Sequence, residues 1–239
     1  MIKEKNIWDK VARSFHVTSM NSRAHRDKYL DIAKIVVSKK PDNILDLGCG
    51  SGILEKRISE IGYSGSILGV DYSGAMVEIA KGLKIDGDIR FEKHDLNDYF
   101  PSGPFDLIVS INALFFINDK LKFFKNISKQ LSFPNATFIL FMPIPEGGGS
   151  IMRYVGEHFK STNFLEKILI VVNELGNIPH YTRMVINELK LRRLEAEGRI
   201  TFSTVAEVEE LALASSLVIV KRLIVEDKRG IMFEMRRGH

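Results

Sequence analysis

The chain has one cysteine and one tryptophan among 239 residues, and no window comes near the roughly 18 unbroken apolar residues that a membrane span needs. The lone Cys49 cannot close an internal disulfide and offers no cluster of metal ligands, so a reducing compartment and no metal are expected. The opening "MIKEKNIWDKVARSF" has no apolar segment of the secretory kind. A cytoplasmic protein with no membrane partner is the expectation. Blocks of like charge, low-complexity tracts and internal repeats are also missing, which excludes a disordered chain or a solenoid. With 45% hydrophobic residues the chain can bury one substantial core. Its formal net charge of +4 is spread among nearly as many acids as bases, so a dedicated phosphate-binding surface is not favoured.

Short β-branched runs alternate with helical patterns through the first 142 residues, the mark of βαβ units on a parallel sheet. The expected strands are "NILDLG" (43–48), "SILGVD" (66–71), "DIRFEKHD" (88–95), "FDLIVSIN" (105–112) and "ATFILFM" (136–142). Between them "ILEKRISEIG", "GAMVEIAKGL" and "DKLKFFKNISKQL" carry apolar residues at helical spacing. Ahead of them, 6–15 and 23–40 read as two amphipathic helices, the second ending before Pro41. After them, "TVAEVEELALASSL" reads as a helix and "VIVKRLIVEDKRGIMFEMRR" as two strands turning at Asp227 to Gly230. The predicted fold is α/β: a doubly wound, mostly parallel seven-stranded sheet with an antiparallel C-terminal hairpin. It is expected to form a single domain over 1–239, with a helical cap over 1–40.

Residues 145–200 open with "PEGGGS" and continue as two expected helices around "GNIPHY". An insertion at the C-terminal end of the fifth strand sits where open α/β sheets bind ligands, so this segment is expected to be a helical lid.

In "DLGCGSG" a strand ends, the backbone turns sharply and a helix begins near Ile53. Asp71 follows Gly48 by 23 residues, at the end of the next strand, where a carboxylate accepts both hydroxyls of a ribose. An adenosine-type ligand is implied. A dinucleotide fingerprint is G-x-G-x-x-G, whereas the third glycine here comes one residue early and Asp46 stands two residues before the first. A carboxylate beside the turn repels a pyrophosphate and suits a ligand with positive charge.

Four motifs in this order and spacing, "ILDLGCGSG", the acid of "GVDYS", "HDLND" and "FDLIVSINALFFI", resemble the Rossmann-like, class I methyltransferases that use S-adenosylmethionine. The resemblance covers 43–142 closely and the terminal helix and hairpin in outline. It implies that Asp46, Gly48, Cys49, Gly50 and Gly52 form the wall against the methionine and ribose of the cofactor. It implies that Asp71 holds the ribose hydroxyls, with Tyr72 and Met76 near the adenine. Asp95 matches the acid that accepts the adenine amino group, and Leu96 supplies a neighbouring amide. Asn112 would lie nearest the transferred methyl, and "WDKVARSF" resembles an opening helix that closes over the cofactor, bringing Phe15 to the site. Many small-molecule relatives carry histidine just after the fourth strand, where this chain has Phe115 and Phe116, which removes an obvious general base.

Plainer roles compete for several of these residues. Asp95 also reads as a helix N-cap with Asp98 three residues on, and Asn112 as a cap of the following turn. Phe115, Phe116, Phe123 and Phe124 read first as core. His16, His25 and His94 read as surface or supporting groups, and Lys190, Arg192 and Arg193 as a solvated helix face. In the expected lid, His158, His180 and Tyr181 are weak candidates for a base, with Tyr154 of the same standing.

The lone cysteine lies in the glycine turn, which argues against C5 methylation of a pyrimidine, and "NALF" lacks the two prolines of enzymes that methylate amino groups of DNA bases. An apolar roof suits a small or medium-sized, partly hydrophobic acceptor methylated on O, N or C. The alternatives are an RNA or protein methyltransferase, or a protein that binds S-adenosylmethionine without catalysis. A nicotinamide dehydrogenase is disfavoured by the glycine spacing and by Asp46.

Overall fold

In the first strand, Ile44, Leu45 and Leu47 are each 1% exposed or less, so apolar residues face both sides, as a strand sandwiched between two helical layers requires. The computed structural model describes residues 6–21, 23–132, 135–143, 178–225 and 230–238. Two helices come first, α1 (Asn6–Asn21) and α2 (Arg23–Ser38). The alternating body follows: β1 (Asn43–Leu47), α3 (Ile53–Glu60), β2 (Ser66–Asp71), α4 (Gly74–Lys81), β3 (Asp88–Lys93) and β4 (Leu107–Ile111). A short 3₁₀ turn (Leu114–Phe116) leads to α5 (Lys120–Gln130) and β5 (Thr137–Pro143). The last described elements are α6 (Ile178–Ala196), α7 (Val205–Ala214), β6 (Leu217–Val225) and β7 (Gly230–Arg237).

The seven strands lie in the order β3-β2-β1-β4-β5-β7-β6. Strands β1 to β5 pair in parallel, while β7 runs antiparallel to both β5 and β6. The strand order reverses beside β1, and the crevice where β1 and β4 diverge is the place such sheets keep for a ligand. On one face Leu45, Leu47 and Ile108 pack with Phe123, Phe124 and Ile127 of α5 and Val208 of α7. On the other, Ile44 and Val109 pack with Ile32, Ala33 and Val36 of α2 and with Ile53, Leu54 and Ile58 of α3.

Short polar residues begin the helices, because the first amide groups of a helix lack partners within it. Ser73 accepts from the Met76 amide at 3.2 Å, Asp119 from Lys122 at 2.8 Å and Thr204 from Glu207 at 3.1 Å.

The fold matches the seven-stranded expectation, with differences at the ends of elements. α1 runs to Asn21, six residues past the expected end. β3 stops at Lys93, and the turn after it is not a helix, so Asp95 is not a helix N-cap. Ile178, Pro179, His180 and Tyr181 lie in α6 from its first described residue, where a break around "GNIPHY" was expected. The earlier part of the expected lid, including His158 and Tyr154, lies outside the described residues, as does most of the turn from Asp227.

Phe124 is fully buried and meets Phe138 edge-on with ring centroids 5.8 Å apart. Phe124→Ala should lower the free energy of unfolding by about 3–5 kcal/mol in urea titration; a loss below about 1 kcal/mol would contradict its place in the core.

Candidate functional site

The turn after β1 is locked to the end of β2. The amides of Gly48 and Cys49 donate to the Val70 carbonyl at 2.8 and 3.1 Å, and the Gly50 amide donates to Asp71 Oδ2 at 3.0 Å. Asp71 Oδ1 accepts from the Ser73 amide at 2.8 Å. Gly48, Gly50 and Gly52 have φ of 89°, 55° and 75°, the left-handed region that other residues enter at a cost. Crowding separates them further. A Cβ on Gly48 would stand 2.6 Å from that of Ala113 and one on Gly52 would stand 2.9 Å from Leu83, whereas the first atom met from Gly50 is on the Phe15 ring at 3.6 Å. Gly50 is the glycine with open space in front of it.

That space is a cavity of about 390 Å³, reached by Gly48, Cys49, Gly50, Asp71, Tyr72, Met76, Asp95, Leu96, Asn112 and Phe15. Ten residues scattered from position 15 to 112 are thereby brought together. The cavity is also bordered by residues not singled out beforehand, among them Trp8, Asn97, Ala113, Glu188, Leu191 and Phe202. Phe115, Phe116, His94 and Arg192 line it as well, so the two phenylalanines are wall rather than only core, and Arg192 is not merely a solvated group. The aromatic rings form a continuous series: Phe15 to Trp8 at 5.6 Å, Trp8 to Phe116 at 6.3 Å, Phe116 to Phe115 at 4.6 Å and Phe115 to Phe202 at 4.7 Å.

Helix α1 spans the site and is held at several points. Asp9 Oδ1 accepts from Ser73 Oγ at 2.6 Å and from the Ala75 amide at 3.2 Å, and His16 Nδ1 lies 3.1 Å from Ser51 Oγ in the glycine turn. Across the cavity, Asp95 Oδ1 accepts from the Asn97 amide and from Asn97 Nδ2, at 3.1 and 3.0 Å. Asn97 Nδ2 also reaches the Phe116 carbonyl at 3.1 Å, and Asn97 Oδ1 accepts from the Asn118 amide at 2.8 Å. Asn97 thus splices the loop after β3 to the loop after β4; an acid followed two residues later by asparagine was its signal in the sequence.

Asn112 is held at φ 55°, with its amide on the Phe141 carbonyl at 2.9 Å. Its Oδ1 is buried without a hydrogen-bond partner, and so is Tyr72 Oη. Both residues border the cavity.

Other expected site residues are placed elsewhere. Asp46 and Gly52 stand behind the wall, outside the cavity lining. His180 does not line it either; its Nδ1 lies 3.1 Å from Ser14 Oγ, tying α6 to α1, and Tyr181 is likewise off the wall.

Asp46 and Glu55 are 2% and 0% exposed, side by side between β1 and α3, and Asp46 Oδ1 and both Glu55 oxygens have no partner of ordinary geometry. Burial, then their mutual repulsion and that of Asp71, pushes the Asp46 carboxyl well above the usual range, and burial raises Glu55 too. Asp71 is pushed up to about 6 by burial, against the pull of its amide donors and with the help of Asp9. The Cys49 thiol is raised by burial and by these acids, so it stays neutral.

A carboxyl whose pKa is raised by folding holds its proton more tightly in the folded state. Its contribution to stability is therefore full at low pH and lost as pH climbs from the unfolded value through the folded one. Glu55→Gln should lose clearly less stability than the parent between about pH 5 and pH 8 in urea titrations; an equal or steeper decline would show that the pair is not strained.

The glycine turn and the acid that ends the next strand both border this cavity, beside an open, mostly parallel sheet. In comparison with known proteins, residues 44–132 match the family model described as "Methyltransferase domain". The chain is 35% identical over 97 residues to malonyl-[acyl-carrier protein] O-methyltransferase 1 of Ilyobacter polytropus, covering 40% of this chain and 36% of that protein. It is 32% identical over 119 residues to a probable 18S rRNA (guanine-N(7))-methyltransferase of Dictyostelium discoideum, covering 48% and 39%. The chain thus spans well under half the length of these curated relatives. In fold it is similar to the magnesium protoporphyrin IX methyltransferase of Synechocystis with bound S-adenosylhomocysteine, with TM-score 0.57, 15% identity, and 90% and 84% of the two chains covered. Residues 44–132 thus match a methyltransferase domain, and the chain shares its fold with a methyltransferase structure that holds S-adenosylhomocysteine.

Proposed function

We propose that the chain transfers a methyl group from S-adenosylmethionine to a small or medium-sized, partly hydrophobic metabolite enclosed in this cavity. The observation that carries the reading is the Gly50–Asp71 junction opening onto an aromatic chamber of about 390 Å³. A chamber of this size is at the lower end of small-molecule sites.

The residues present fit the cofactor. Asp71 keeps a lone pair on each oxygen for the ribose hydroxyls, beside a glycine whose missing Cβ leaves room. Tyr72, Met76, Asp95 and Leu96 would enclose the adenine, and Gly48, Cys49, Phe15 and Asn112 would border the methionine end. Asp46 would stand behind the wall, its carboxyl displaced by burial toward the neutral form. When bound, the cofactor supplies an electrophilic methyl on a sulfonium. The chain's task is then alignment and exclusion of water, which the aromatic series and α6 accomplish.

The names of the relatives state a malonyl-[acyl-carrier protein] and an 18S rRNA guanine as acceptors. The small-molecule reading is favoured because Asp71, Asp95, Glu188 and Glu195 line the cavity against one guanidinium, that of Arg192, and such a wall repels a phosphate backbone. We take 1–239 as one domain with 145–200 as its roof, α6 being the described part that reaches the cavity. No helix of the described residues is long and apolar enough to cross a membrane. A cytoplasmic location is part of the same proposal.

Calorimetric titration tests the cofactor half. S-adenosylmethionine and S-adenosylhomocysteine should bind at micromolar levels and NAD should not, and transfer of labelled methyl to a metabolite pool should follow. Because Asp71 titrates at about 6, its capacity to accept two hydroxyls, and with it cofactor affinity, should fall as pH drops below that value. Asp71→Asn should bind weakly with no such step near pH 6. Equal affinity in the variant would remove Asp71 from the site.

A further inference from the structure

The protein carries formal charge +4, yet the wall of its cavity is acidic. Asp71 and Asp95 belong to the half assigned to adenosine. Helix α6 brings a second set, Glu188, Arg192 and Glu195, onto the same wall. Through Leu191 and Leu194 this helix packs on Phe115, Phe116 and Phe202, so its charged groups border the aromatic series. Arg192 Nη2 lies 3.1 Å from Glu188 Oε1 and balances it. Glu195 has no ion-pair partner among the described residues, which leaves one uncompensated carboxylate over a wall of aromatic faces that includes Trp8. Carboxylate together with aromatic faces is the chemistry that recognises an organic cation.

Resting on the transferase reading above, we propose that the acceptor is an amine on an apolar body, drawn in as a cation by Glu195 and the faces of Trp8 and Phe116, and that Glu195 determines this specificity. The amine gives up a proton to the Glu195 carboxylate and from there to water. Its lone pair then forms the N–C bond to the methyl as the C–S bond breaks and that electron pair stays on sulfur. The positive charge moves from sulfur to nitrogen, so the acidic wall faces a cation before and after transfer. A carboxylate acceptor would be repelled on entry. A hydroxyl carries no positive charge for the acidic wall to hold. Asn112 Oδ1, buried without a hydrogen-bond partner in the protein, can accept an N–H of such an amine.

Trp8 is the chain's single tryptophan and lines the cavity, so its fluorescence reports occupancy directly. With S-adenosylhomocysteine saturating, the full chain is titrated with 3-phenylpropylamine, 3-phenylpropan-1-ol and 3-phenylpropanoate. The amine should bind about tenfold more tightly than the alcohol, and the carboxylate weakest. Glu195→Gln should bring amine and alcohol to within about threefold while leaving affinity for S-adenosylhomocysteine unchanged. Glu210→Gln, an exposed acid of α7 outside the lining, should leave the preference intact. Alcohol or carboxylate binding at least as tightly as the amine, a Glu195→Gln variant that keeps the preference, or no Trp8 response to any of the three overturns the inference. Failure of S-adenosylhomocysteine itself to bind in calorimetry would instead overturn the transferase reading, and this inference with it.

Discussion

The hydrogen bonds that join the glycine turn to Asp71 hold the site together. The Gly50 amide and the Ser73 amide each occupy one oxygen of the same carboxylate, so the start of α3, the end of β2 and the start of α4 are fixed around one buried acid. Remove that carboxylate and the turn loses its anchor, α4 loses its approach, and Asp9 of α1 loses the helix start on which it rests. The cavity is the space left between these fixed points, and its shape follows from them. An acid that already accepts two amides is also oriented for further donors, since neither oxygen can swing away.

Electrostatics gives the site its character. Three carboxyls, Asp46, Glu55 and Asp71, are withdrawn from water at one end of the sheet and displaced toward their neutral forms, the state a folded chain adopts when charge has no counterpart. A ligand bearing positive charge relieves that condition. On the proposed function, a cationic cofactor would draw these carboxyls toward their charged forms, so that its binding would release protons. The acids on α6 continue the same sign onto the opposite wall, which gives a basic protein an acidic interior.

Much of this was legible in the sequence because it is local. A glycine turn, the acid ending the next strand and the acid after the third strand each declare themselves within a few residues, and parallel strands announce themselves by unbroken apolar runs. What α1 and α6 bring to the site was harder to read. Trp8, Glu188 and Phe202 reach the cavity through tertiary packing, with nothing in their neighbourhoods to say so. Asp46 was misplaced for a stricter reason: side chains alternate along a strand, so it shares a face with Ile44 and points to α3, where Glu55 meets it. His180 stood in a plausible lid, but the docking of α6 turned it to Ser14. Phe115 and Phe116 looked like core because apolar pattern alone does not distinguish a core from the wall of a cavity.

The most direct test of the central claim is a crystal structure of the chain with S-adenosylhomocysteine. The account predicts the ribose hydroxyls on the Asp71 carboxylate, the adenine between Tyr72 and the Asp95 loop, and the sulfur turned toward Asn112 and the aromatic series. Ligand density away from Asp71, or an adenosyl group on the far side of the glycine turn, would contradict it.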